Sequence, residues 1–233
     1  MDTTGLDARW RGLLRSVPIF ADLDPTAAAA LERLVAVQDH AAGAVMVSQE
    51  EPGDALFVLV SGKVKVVLYS EEGREVILTI FKSPGDFFGE MSLLDDEPRS
   101  ASVIAAEPSR LLVLRRSDFR AHIAAHPCTA LRALTELARR LRRADELIGD
   151  LALLDVFGRL TRKLRELADS DGEEVDGGVV IRNRPTQAEL AAMIGSSRET
   201  VSRLLSEFAR RGYLTMTGKR LLLRRAFVLG DAT

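Results

Sequence analysis

The chain has 233 residues, 46% hydrophobic and 28% charged, with a formal net charge of −2, which suits a globular protein with room for two modest cores. Its polar opening, MDTTGLDARW, precedes no apolar run, and no segment approaches the ~18 uncharged apolar residues of a membrane helix, so a cytoplasmic protein without a membrane partner is expected. The single cysteine, Cys128, excludes an internal disulfide and a cysteine-ligated iron–sulfur cluster, and reads as a buried or half-buried thiol.

In chain order, the first predicted element is a helix around Pro25 to Val37. Between Gly43 and Leu114 the pattern changes to short β-rich segments: Val45–Val47, Leu56–Val60, Val64–Tyr69, Val76–Phe81, Ser102–Ala105 and Leu111–Leu114. Turn signals about ten residues apart are the spacing of a sandwich or jelly roll. Glu71-Glu72-Gly73 reads as one of its hairpin turns, and a second helix opens near Ser117-Asp118.

Inside the roll, residues 85–101 read GDFFGEMSLLDDEPRSA. A glycine opening a short helical turn lets backbone amides converge on an anion, a buried Arg99 would add the counter-charge, and Ser100 one more donor. Glu90 would be free to accept from a sugar hydroxyl. The competing reading is a glycine turn with an exposed Glu90–Arg99 ion pair. Small double-stranded rolls also carry metalloenzymes, but these need clustered histidines; the chain has only His40, His122 and His126, none in the central strands, so neither a metal nor enzyme activity is expected. His122 and His126, four residues apart on a helix, read as surface residues.

Along the next segment, Leu134, Leu137, Leu141, Ala144, Ile148 and Leu151 recur at steps of three and four, the seam of a two-stranded coiled coil, which predicts a homodimer. Arg139-Arg140 and Arg142-Arg143 are expected to stay outside that seam. Residues 186–203, TQAELAAMIGSSRETVSR, then lay out two short helices joined at Gly195. Thr186 with Glu189, and Ser196 with Glu199, have the spacing of a capping box. In the second helix Val201, Leu204, Leu205 and Phe208 must face a core, which leaves Arg198, Glu199, Ser202, Arg203 and Ser206 outward. Arginine forks match guanine and a glutamate can accept from cytosine, so this face predicts a reader of double-stranded DNA. Tyr213 to Arg224, turning at Gly218-Lys219, reads as a hairpin wing. From Val180 to Leu229 ten Lys/Arg stand against three Glu, so this module carries +7 and the remainder −9 of the total of −2; cations gathered on one module favour phosphate contacts.

Three motifs, FGEMSLLDDEPRSASV, LALLDVFGRL and GSSRETVSRLL, resemble in order and spacing the cyclic-AMP receptor protein branch of the bacterial CRP/FNR transcription regulators, over roughly Ile19 to Val228. The resemblance implies an α+β chain: a cyclic-nucleotide-binding β-roll over 1–127, a dimerisation helix over 128–155, and a winged helix-turn-helix over 156–233, hinged near Asp155–Gly158. It implies that Gly89 and Glu90 bind the cyclic phosphate and ribose, that Arg99 and Ser100 hold the phosphate, and that Met91, Ser92 and Ala101 complete the ligand loop. Arg198, Glu199 and Arg203 would read a TGTGA-like half-site of a pseudo-palindromic operator, with Thr186, Ser197, Thr200 and Ser202 among the DNA contacts, and RNA polymerase would be a further partner. The places where cyclic-AMP receptors meet adenine are here Ala144 and Asp145. The first offers no hydrogen bond, and the second only accepts, which suits guanine's two N–H donors. By its frequency in the family the effector is read as cyclic AMP, with cyclic GMP or another ligand a serious competitor. The alternative is the same architecture sensing haem, a cyclic dinucleotide or another metabolite, or needing no effector.

Overall fold

A computed structural model describes residues 12–229. The chain divides into two compact units, the first ending at Arg143 and the second beginning at Ala144.

In the first unit, α1 (Leu13–Ser16), a 3₁₀ turn (Pro18–Phe20) and α2 (Pro25–Glu32) precede β1 (Ala36–His40), β2 (Val45–Val47), β3 (Ala55–Ser61), β4 (Val64–Tyr69), β5 (Glu75–Phe81) and β6 (Phe87–Phe88). There follow α3 (Met91–Leu94), β7 (Ser102–Ala105), β8 (Ser109–Arg115), α4 (Arg116–Ala125) and α5 (Pro127–Leu153), which runs on into the second unit. The strands form two antiparallel four-stranded sheets, β1-β8-β3-β6 and β2-β7-β4-β5, the expected roll. β3 explains why the roll tolerates an unbroken apolar run. Successive side chains of a strand point to opposite faces, so Phe57 and Leu59 enter the interior between the sheets, while Leu56, Val58 and Val60 join a second core with Leu14, Phe20, Leu31 and Phe119 of the helices.

The helix expected to reach Val37 ends at Glu32, and residues 36–40 are instead an edge strand paired with β8 from Ala36 opposite Val113 to His40 opposite Ser109. Leu34 and Val37 keep helical spacing with the preceding turn, but both are exposed, so that spacing reflected no buried face. Asp24 starts the helix, accepting from the amides of Thr26 and Ala27 at 2.8 and 2.9 Å.

His122 is also not where its spacing suggested. It is 8% exposed, lies edge-on to Phe20, and shares a 3.1 Å hydrogen bond between Nε2 and Thr129 Oγ1 across the α4–α5 corner. Burial, with a smaller contribution from His126, pushes its imidazole down to about 4 from the ordinary 6.5. The unfolded chain thus takes up this proton first, and the stability that neutral His122 confers is complete above pH ~6.5 and is lost as pH falls toward 4. Unfolding free energies from urea titrations at pH 7 and 4.5 should differ by about 2 kcal/mol more in the native chain than in His122→Gln; equal differences would remove His122 as the cause.

The second unit contains the end of α5, then α6 (Val156–Asp171), β9 (Gly172–Val175), β10 (Gly178–Ile181), α7 (Gln187–Ile194), α8 (Arg198–Arg210), β11 (Leu214–Thr217), β12 (Arg220–Arg224) and α9 (Arg225–Leu229). Leu160 and Leu164 of α6, Leu190 and Ile194 of α7, and Val201, Leu205 and Phe208 of α8 close one core with Leu214, Leu221 and Leu223 of the wing. The wing hairpin turns at Gly218, φ 57, and belongs to a four-stranded sheet, β11-β12-β10-β9, in which the polar β9 adds a second hairpin with β10. The break between α5 and α6 falls at Asp155, whose carboxylate accepts from Gly158 N at 2.8 Å and so starts α6 within the expected hinge.

Candidate functional site

In the roll, Phe87 and Phe88 are buried on β6, and the chain then turns through Gly89 at φ 88 into α3. A side chain at 89 would stand 2.6 Å from Arg99 Nη1 and 2.9 Å from Ala55 O, so the position requires glycine on both conformational and steric grounds. Arg99, 6% exposed, donates from Nη1 to Gly89 O (2.7 Å) and Ser92 Oγ (2.9 Å) and from Nη2 to Ala55 O (2.8 Å). Burial draws this guanidinium below its ordinary value, with Asp54 the chief opposing influence.

Glu90 is 2% exposed. It does not pair with Arg99 at the surface; both are buried, and Glu90 Oε1 accepts instead from Arg140 Nη1 at 2.7 Å. Arg140 was expected to stay outside. It reaches from α5 into the roll, donates through Nη2 to Phe87 O at 2.7 Å, and lies over the rings of Phe87 and Phe81 at 4.6 and 5.5 Å from their centroids. Arginine can do this because its planar guanidinium bonds in the ring plane while its face covers an aromatic. Glu90 Oε2 is buried with no hydrogen-bond partner. Burial pushes this carboxyl above the ordinary glutamate range, and Arg140 is the main influence pulling it back. Ser92 and Ala101 are buried beside this group, whereas Met91 and Ser100 are exposed, with Ser100 Oγ 3.9 Å from Met91 Sδ. Among the described residues no cluster of three or more His, Cys, Asp or Glu could hold a metal ion.

On α5, Leu134, Leu141, Ile148 and Leu151 are 61%, 63%, 63% and 49% exposed, an unusual state for large aliphatic side chains spaced along one helix. Leu137 is half-buried, and Ala144 and Asp145 are exposed.

In the second unit, the capping box of α7 is complete: Glu189 N donates to Thr186 Oγ1 at 3.1 Å and Thr186 N to Glu189 Oε2 at 2.7 Å. The capping residue of α8 is not Ser196 but Ser197, whose Oγ accepts from Thr200 N at 3.2 Å. Gly195 takes the left-handed conformation at φ 63, and Ser196 N is used to close α7 on Ala191 O at 2.9 Å, so the next helix starts one residue later than the spacing indicated. Val201, Leu204, Leu205 and Phe208 are buried, as required of the inner face. Arg198, Glu199, Ser202, Arg203 and Ser206 line an open concavity together with Gln187 of α7. Gln187 joins this face from α7 and carries no signal in the periodicity of α8. Arg159 on α6 ties the α5–α6 junction to the end of α7, donating to Ile194 O (2.9 Å) and Leu154 O (2.8 Å), and Arg162 pairs with Asp150 at 2.5 Å.

Two family models match the chain, a cyclic nucleotide-binding domain over residues 37–126 and a Crp-like helix-turn-helix domain over residues 158–229. The CRP-like cAMP-activated global transcriptional regulator of Mycobacterium tuberculosis is 37% identical over 211 residues, 91% of this chain and 94% of that protein. The cAMP-activated global transcriptional regulator CRP of Salmonella typhimurium is 32% identical over 189 residues, 80% of this chain and 89% of that protein. Of solved structures, the Catabolite Activator Protein of Thermus thermophilus is 33% identical with a TM-score of 0.54, covering 92% of this chain and all of that one (100%). A CooA mutant from Carboxydothermus hydrogenoformans, 23% identical with a TM-score of 0.77 over 98% of this chain and 97% of that one, shares the fold. With a roll of the cyclic nucleotide-binding type, a long helix and a Crp-like helix-turn-helix matched in that order by transcriptional regulators rather than enzymes, the chain belongs to the CRP/FNR family of DNA-binding transcription regulators.

Proposed function

We propose that the protein is a homodimer whose affinity for a pseudo-palindromic operator is set by a cyclic nucleotide, with residues 1–127 sensing, 128–155 dimerising and 156–233 reading DNA. The observation that carries this is Glu90: a buried carboxylate with one oxygen on Arg140 and the other unpartnered, beside a glycine turn and a buried arginine. A buried acceptor without a donor is costly, and a ribose hydroxyl supplies the donor. Arg99 supplies the phosphate's counter-charge, Ser100 a further donor, and Gly89, Met91, Ser92 and Ala101 the loop around it. These residues fit the group by charge and by hydrogen-bond capacity. Relatives named as cAMP-activated put cyclic AMP first. Asp145, an acceptor following the apolar Ala144, keeps cyclic GMP in competition. Calorimetric titration of the full-length protein with cyclic AMP, cyclic GMP and 2′-deoxy cyclic AMP tests the assignment. The ribose form should bind roughly tenfold more tightly than its deoxy analogue, and no binding of any of them rejects the reading.

Leu134, Leu137, Leu141, Ala144, Ile148 and Leu151 form the dimer seam. A twofold axis then places two α8 helices about one DNA turn apart, on TGTGA-like half-sites. There Arg198 and Arg203 donate to guanine edges and Glu199 accepts from cytosine, while Thr186, Ser197, Thr200 and Ser202 make the surrounding DNA contacts. The effector acts by population shift, stabilising the dimer arrangement that matches DNA, so DNA must tighten effector binding by the same factor. RNA polymerase is the partner through which occupancy changes transcription. Arg203→Ala should lose about 1–3 kcal/mol of discrimination at one base pair while leaving affinity for scrambled duplex nearly unchanged. Fluorescence anisotropy on both duplexes measures this, and an equal loss on each would remove Arg203 from base reading.

A further inference from the structure

Behind the effector loop lies a second layer of side chains that none of the roles above employs. Arg116, the first residue of α4, donates from Nη2 to Ser92 O at 2.8 Å and from Nε to Gly53 O at 3.1 Å, and its own amide bonds Asp54 O at 2.7 Å. Arg120, one turn on, donates from Nε to Leu93 O at 3.0 Å and pairs with Asp96 at 2.7 Å; Asp96 also receives Arg116 Nη1. The two guanidiniums therefore satisfy carbonyls at the end of α3 that its own turn leaves open. Asp96 itself stands at φ 64, in the left-handed region that a non-glycine residue seldom takes, and two ion pairs hold it there.

This layer is continuous with the effector loop. Ser92, fixed through its carbonyl by Arg116, presents Oγ to Arg99 Nη1 at 2.9 Å. Gly53, fixed through its carbonyl by the same guanidinium, packs so closely that a Cβ there would collide with Ser92 Oγ and stand 2.7 Å from Arg99 Nε. The contacts of Arg116 thus bear on both sides of Arg99.

We propose that Arg116, with Arg120 and Asp96, forms a positioning brace that fixes the Arg99 guanidinium through Ser92 and Gly53, and so sets effector affinity without touching the effector. The fork geometry of arginine is essential, because one planar group reaches two carbonyls and a carboxylate at once, which a lysine cannot do. Because both arginines belong to α4, the brace also makes α3 and α4 move as one body. For its binding consequence the proposal rests on the cyclic-nucleotide reading; for its structural consequence it does not.

The test uses the full chain and Arg116→Ala, with Asp96→Gly as a second variant that keeps the left-handed backbone and removes only the carboxylate. In the effector-free protein, hydrogen exchange of the amides of residues 90–95 should rise roughly tenfold in Arg116→Ala, while the β4–β5 hairpin is unchanged. Cyclic AMP affinity should fall roughly tenfold in Arg116→Ala and less in Asp96→Gly. Combined with Arg99→Lys, Arg116→Ala should cause less than a ~3-fold further loss, because both changes act through one guanidinium position. Affinity losses that simply multiply, or unchanged exchange at residues 90–95, overturn the brace. If the wild-type chain binds no cyclic nucleotide, the functional reading falls, and the exchange measurement alone decides the brace.

Discussion

Arg99→Ala is expected to weaken cyclic-nucleotide binding by about 2–4 kcal/mol, roughly 30- to 1,000-fold, the range found when one partner of a buried charged contact is removed. The guanidinium is buried, already oriented by Gly89 O, Ala55 O and Ser92 Oγ, and so close to Gly89 that no side chain fits between. Preorganisation of this kind lets the whole electrostatic gain appear as affinity, because the side chain is not being ordered at the moment of binding. Truncation also strips those three acceptors, so urea unfolding of the effector-free protein should be followed in parallel with calorimetric titration. Affinity within about threefold of wild type would exclude Arg99 as the phosphate's counter-charge.

A larger effect on DNA binding is expected from Leu141→Glu combined with Ile148→Glu. Both side chains are 63% exposed in the single chain, and in the proposed dimer their burial against a second copy would drive association. Four glutamates facing one another across a twofold axis would repel as well as forgo that burial. The variant should sediment as a monomer, and its affinity for a full operator should fall about 10²–10⁴-fold, since two linked half-site contacts become one. Its affinity for an isolated half-site should change little. A variant that remains dimeric would place the interface elsewhere than on this stripe.

The sequence revealed the elements whose signals are local. The central strands of the roll are bounded by glycines and turn residues, α7 carries its own capping box, and the inner face of α8 follows helical spacing, so each could be read from a window of a dozen residues. What it did not reveal depends on partners distant in the chain. β1 reads AVQDH because an edge strand paired only with β8 needs little apolar character, and nothing within those five residues points to β8, whose partner positions run from Ser109 to Val113. The start of α8 was misplaced by one residue because Ser196 and Ser197 are equally good caps in isolation; the closing bond from Ser196 N to Ala191 O decides between them. Arg140 sits in a run of arginines that looks like a solvated flank, and only its contacts with Glu90, Phe87 and Phe81 separate it from Arg139 and Arg143. His122 misled for the same reason, since the Phe20 and Thr129 that enclose it come from other elements.

Arg159 gives the hinge a stricter rule than its length suggests. One guanidinium holds the last carbonyl of α7, at Ile194, and the carbonyl one residue past α5, at Leu154, while Asp155 a residue further on starts α6. The junction is thereby a gauge block, with its spacing set against the foot of the reading head and not left to a slack tether. Where most surface links absorb an inserted residue, a single addition between Leu154 and Arg159 would pull one guanidinium away from Leu154 O or Ile194 O.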